Sequence, residues 1–78
     1  MPDSSYNEIL DRFRECVDYV FSQQGNGNKT TFCKRNKIDP GNFVRALDNN
    51  GRKLQVEWIA VFCKEYGVSA NWVLTGEV

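Results

Sequence analysis

Apolar residues recur at helical spacing at Ile9, Leu10, Phe13, Cys16, Val17, Val20 and Phe21, so one face of a long segment can be buried while the other stays in water. The spacing predicts a first helix from about Tyr6 to Gln24. A capping-box pair, Ser5 and Glu8, opens it, and Gly25-Asn26-Gly27-Asn28 closes it, because two glycines lower the cost of leaving helical geometry. Asn28 can then cap a short second helix, roughly Lys29 to Asn36, in which only Phe32 and Cys33 are strongly apolar. After Ile38, Asp39-Pro40 supplies an N-cap and a proline at the first helical position, predicting a third helix from Pro40 to about Asn49. Asn49-Asn50-Gly51 ends it and Arg52-Lys53 leads on. Val56, Ile59, Ala60, Phe62, Cys63 and Tyr66, with Trp58 beside them, mark a fourth helix from about Gln55 to Tyr66, stopped by Gly67. Ser69 caps a short fifth helix, Ala70 to Thr75, stopped by Gly76. The longest alternating stretch, Leu54 to Trp58, is too short and too poor in flanking turn signals for a strand. The expectation is an all-α fold of five helices packed on Phe13, Phe32, Phe43, Leu47, Phe62 and Trp72.

Composition narrows the picture. At 78 residues and 41% hydrophobic content the chain has enough apolar material for one compact domain and too little for two, so residues 1–78 are read as a single domain with its core in about 5–76. No apolar run approaches the length of about 20 residues needed to cross a bilayer, and the start, Met1 to Ser5, is polar; a soluble, cytoplasmic protein is expected, with no membrane partner. Cys16, Cys33 and Cys63 are odd in number and far apart, with no C-x-x-C pair and no histidine in the chain. That pattern argues against a disulfide framework or a zinc site and for small buried thiols. No nucleophile with an activating base, metal-ligand cluster or phosphate loop can be assembled, so neither enzymatic activity nor a cofactor, metal or small-molecule ligand is expected.

Charge brings in a partner. The formal net charge is zero, yet residues 29–53 hold seven cations (Lys29, Lys34, Arg35, Lys37, Arg45, Arg52 and Lys53) against Asp39 and Asp48, a local balance of +5. A cluster of this kind can attract phosphate although the whole molecule is neutral. It coincides with two short helices and a tight turn, the geometry that sets a recognition helix in the major groove.

Phe32-Cys33-Lys34-Arg35-Asn36-Lys37-Ile38, followed by Phe43-Val44-Arg45-Ala46-Leu47, resembles the helix-turn-helix of the lambda-repressor-like (Xre, Cro and phage-repressor) family. Cys33 takes the place of its small mid-helix residue and Ile38 that of the hydrophobic residue after the turn. Tyr66-Gly67-Val68-Ser69-Ala70-Asn71-Trp72-Val73-Leu74-Thr75-Gly76-Glu77 is similar to the ending shared by many bacterial and phage members. Together the two stretches and the order of helices cover nearly the whole chain. The resemblance implies a compact five-helix DNA-binding domain with its helix-turn-helix at helices 2 and 3, acting as a transcriptional regulator, most naturally a repressor. The chain departs from the family pattern at Lys37, where glycine is usual and positive φ costs a side chain about 1 kcal/mol. It departs again at Pro40-Gly41, where long base-reading side chains are usual.

Asn42 and Arg45 lie three residues apart, one turn, and are the candidates for base readout, since asparagine can bond adenine and arginine guanine in two places each. Gly41 would let the backbone approach the groove. Thr30 and Thr31, in the first turn of helix 2, are candidates for phosphate contact through hydroxyl and backbone N–H groups, flanked by Asn28, Lys29, Arg52 and Lys53. Lys34 and Arg35 read as solvated charges, and Trp58 as a half-buried rim residue. One domain with so few base-reading groups would bind weakly, so pairing as a homodimer on a palindromic double-stranded operator is expected. By the resemblance, the pairing surface lies around Asn71, Val73 and Leu74. The competing reading is a protein-interaction module on the same fold. Zero net charge, Lys37 and Pro40-Gly41 favour that reading, whereas Arg45 and the cation cluster favour DNA.

Overall fold

A computed structural model describes the backbone of residues 2–23 and 25–77, and the side chains of that range from residue 6 onward. Five helices follow one another: α1 (Pro2–Ser22), α2 (Lys29–Arg35), α3 (Pro40–Leu47), α4 (Val56–Tyr66) and α5 (Ala70–Thr75). There is no strand among the described residues. The radius of gyration, 12.0 Å, is close to the value of about 11.5 Å for a compact chain of this length. None of the described helices is long and apolar enough to cross a membrane.

Local chemistry accounts for most boundaries. Asn28, Asp39 and Ser69 each sit in extended backbone and accept a hydrogen bond from the N–H three residues on, at 2.9, 2.9 and 3.1 Å, satisfying one donor that the first helical turn leaves open. Gly67 (φ 68°) and Gly76 (φ 78°) end α4 and α5 in the left-handed region that a side chain resists. α1 begins earlier than expected. It already runs from Pro2, so Ser5 lies inside the helix instead of capping it, and the side-chain part of the capping-box expectation, like the end at Gln24, falls outside the described residues. α3 stops at Leu47, two residues short of the expected end, because Asn49 turns left-handed at φ 56°.

One phenylalanine from each of the first four helices builds the centre: Phe13, Phe32, Phe43 and Phe62, all at 0% exposure. Their rings meet at 5.2 Å (Phe13–Phe62), 5.5 Å (Phe32–Phe62), 5.7 Å (Phe32–Phe43) and 6.2 Å (Phe13–Phe43). Edge-on and tilted pairs of this kind add about 0.5–1.5 kcal/mol each to the burial of the rings. Phe21 and Tyr66 extend the cluster, and Trp58 packs half-buried on Phe43 at 5.6 Å, at the rim as its position suggested. Leu47 is buried with the four rings, whereas Trp72 is only partly so.

α5 docks on α1 through Val73, fully buried, and through Arg12. The Arg12 guanidinium donates to the carbonyls of Val73 (Nε, 2.8 Å) and Leu74 (Nη2, 3.3 Å), two groups left without helical partners at the end of α5. A Cβ at position 76 would come within 3.1 Å of Arg12 Nη1, so Gly76 meets a steric demand as well as a torsional one.

Candidate nucleic-acid interface

The basic segment folds as α2, a turn and α3. The turn is a Schellman motif: the Ile38 N–H donates to the Cys33 carbonyl (2.8 Å) and the Lys37 N–H to that of Lys34 (3.3 Å), with Lys37 at φ 59°. Lysine therefore occupies the left-handed position where the resembled family usually carries glycine, and the turn keeps its hydrogen-bond pattern at the cost of local strain. Ile38 and Cys33, brought together by this closure, both enter the core. Asp39 then caps α3, accepting from the Asn42 N–H at 2.9 Å. Gly41 has a local reason to lack a side chain, since a Cβ there would sit 3.3 Å from the capping Asp39 oxygen.

α3 is sharply two-sided. Phe43, Ala46 and Leu47 are buried, whereas Gly41, Val44, Arg45 and Asp48 are exposed at spacings of three and four, one outward stripe. Of the residues expected to read bases, Gly41 and Arg45 lie on this stripe. Asn42 lies at its edge, half-buried. Among the described residues Arg45 has no ion-pair partner, and Asp48, three residues on, does not pair with it. The Arg45 carbonyl accepts from the Asn50 N–H at 2.8 Å, which together with the Asn49 N–H on Ala46 (3.1 Å) closes α3 with a second Schellman motif.

The phosphate candidates divide. Asn28 Oδ1 accepts from both the Thr31 N–H (2.9 Å) and the Thr31 hydroxyl (3.1 Å), so neither Thr31 group is open to a phosphate while that cap is closed. Thr30 is exposed, Lys29 half-buried and Arg52 exposed. Lys53 is exposed but leans on α1, its ammonium 4.7 Å from the centre of the Tyr6 ring, while the Tyr6 hydroxyl accepts from the Leu54 N–H at 2.8 Å. The connector after α3 is thus fastened to the first turns of α1.

Arg35 corrects another expectation. It is no free solvated charge: it pairs with Glu65 of α4 and donates to the Tyr66 hydroxyl at 3.2 Å, while Asn36 Nδ2 donates to Glu65 Oε1 (3.2 Å) and to the Phe32 carbonyl (3.0 Å). One acid on α4 therefore holds the end of α2 in place and neutralises one of the seven cations. On α5, Asn71 and Leu74 are exposed as a pairing surface requires, but the Val73 side chain is wholly internal and is removed from that surface. The Asn71 amide is turned onto the Glu77 carbonyl at 3.2 Å.

The thiols are held in their protonated form. Burial, with a smaller push from Asp39, raises Cys33 from 9.0 to about 11. Burial also raises Cys16, with Glu15 adding to it, and Cys63, with Cys16 adding to it. No group of three His, Cys, Asp or Glu side chains converges as a metal site among the described residues. An open groove of about 360 Å³ runs between α1 and the start of α5, lined by Glu15, Cys16, Tyr19, Val20, Val68 and Trp72.

Reasoning from the sequence missed four residues that the fold uses or exposes: Arg12, Tyr6, Glu65 and Val44. Val44 could have been found, because Phe43 and Leu47 fix the inward side of α3 and leave residue 44 outside. Comparison of the chain with protein-family models, with curated proteins and with solved structures gives no match.

Proposed function

We propose that this chain is a sequence-specific double-stranded DNA-binding protein of the lambda-repressor-like kind, a cytoplasmic transcriptional regulator that lays α3 in the major groove and represses by occupying its site. The observation that carries this reading is the two-sided α3. It is held by a turn of four residues, 36–39, against α2 and presents Arg45 without an ion-pair partner among the described residues, inside the one segment with a positive balance. Arg45 reads a guanine edge, Asn42 an adenine edge from the border of the stripe, and the Gly41 backbone approaches the groove. Thr30, Lys29, Arg52 and Lys53 contact phosphate, with Asn28 and Thr31 setting the start of α2. Two copies pair on a palindromic operator through the exposed side chains of Asn71 and Leu74, which gives affinity that a single domain lacks.

The test is a titration of labelled protein with a mixed-sequence duplex at low salt, following every backbone amide, repeated as salt is raised. Salt-sensitive shifts at Thr30, Asn42, Arg45 and Lys53 are expected. An unchanged spectrum at low salt sinks the reading. The second reading, a protein-interaction module, is favoured by zero net charge and by the apolar groove beside Trp72.

A further inference from the structure

Val44 is the large apolar residue on the outward stripe of α3, 39% exposed where its neighbour Phe43 is at 0%. Singly exposed apolar residues are ordinary on protein surfaces, and Tyr19, Val56 and Leu74 are others here. The setting of Val44 is what separates it from them. One turn before it stands Gly41, which has no side chain to cover it, and Pro40 at the start of the helix brings no donor. Immediately after it comes Arg45, a cation with no ion-pair partner among the described residues. The side chains of the first half of the outward stripe are therefore C–H surface, with that of Asn42 offering hydrogen bonds from its edge.

In the major groove most of what a base edge presents is a donor or an acceptor, and burying either against valine leaves it unpaired, which opposes binding. One feature there matches an apolar side chain: the C5 methyl group of thymine. We propose that Val44 sets specificity by packing on a thymine methyl group in the major groove. The proposal rests on the DNA-binding reading of α3 and adds to it a base that neither arginine nor asparagine selects. Gly41 serves the same contact by leaving room for the methyl group beside Val44.

The test uses the full chain and a duplex selected by it from a randomised pool. Each thymine of the selected duplex is replaced singly by uracil, which lacks only the methyl group, and Kd is measured for the native protein and for Val44→Ala, whose exposed position and good helix-forming residue leave the fold intact. At one thymine of a half-site the native protein is expected to bind the uracil duplex about fourfold more weakly, the loss expected for one buried methyl group, and Val44→Ala to bind the two duplexes equally. A selected site in which no thymine is sensitive to the change, or a sensitivity that persists in Val44→Ala, overturns the role of Val44 while leaving DNA binding in place. Failure to bind any duplex at low salt removes both readings together.

Discussion

The α1–α5 seam and the α2–α3 unit each place an arginine at the end of a short helix, Arg12 of α1 against the end of α5 and Arg45 in the last turn of α3, and the two are treated differently. At the seam, Arg12 closes on the carbonyls of Val73 and Leu74, so its guanidinium is matched by acceptors on a neighbouring helix. On α3, Arg45 points outward with no ion-pair partner among the described residues, beside apolar Val44. A third arginine, Arg35, shares the basic segment with Arg45 and yet behaves like Arg12, fastened by Glu65. Membership of a basic cluster is therefore a poor guide to which cation is open to a ligand. What decides is whether a neighbouring helix brings an acceptor within reach.

Exchanging the two arginines for alanine should break the comparison most clearly. Arg12→Ala removes a charged donor from one part-buried and one exposed carbonyl and is expected to lower stability by about 2 kcal/mol, read by denaturant unfolding, with DNA affinity per folded molecule unchanged. Arg45→Ala should leave stability within about 0.5 kcal/mol and weaken binding of the selected duplex by about 1–3 kcal/mol. If both variants lost stability alike, the outward stripe would be structural.

A pH series sharpens the contrast from the buried side of α2. Cys33 is held protonated in the folded protein up to about 11 against an ordinary 9.0, so the folded state binds more protons between those values. Its contribution is present below pH 9 and is lost as pH rises towards 11. Unfolding free energy should therefore fall through that window, and Cys33→Ala should flatten the slope in part, since Cys16, Cys63 and Tyr66 are shifted in the same direction. The smallest expected effect is at the turn. Lys37→Gly relieves the left-handed strain but frees the unfolded chain, for a net gain of about 0.5 kcal/mol in the same unfolding measurement.

Helix starts and stops were legible because their causes are local. Asn28, Asp39-Pro40, Ser69, Gly67 and Gly76 act within a few residues, and each marks the boundary expected of it. Where the cause is not local, the reading failed or was silent. Arg12 meets Val73 across 61 residues, Tyr6 meets Leu54 across 48 and Arg35 meets Glu65 across 30. Such pairs depend on how the helices pack, which no window of sequence contains. The same limit explains the candidate site: spacing placed Arg45 outward correctly, but Val73 was assigned to a surface by resemblance when its burial depends on where α1 lies.

The closure of α3 has a mechanical consequence for its arginine. Because the Arg45 carbonyl is anchored by Asn50 at 2.8 Å, the backbone at this residue is tied into the helix end, and on the DNA-binding reading the torsions of the side chain are what contact would have to settle. The ordering entropy lost on contact is then confined to one side chain, at most about 2 kcal/mol, instead of extending to the helix end. Loosening Asn50 would enlarge that loss without touching a single group that meets the ligand.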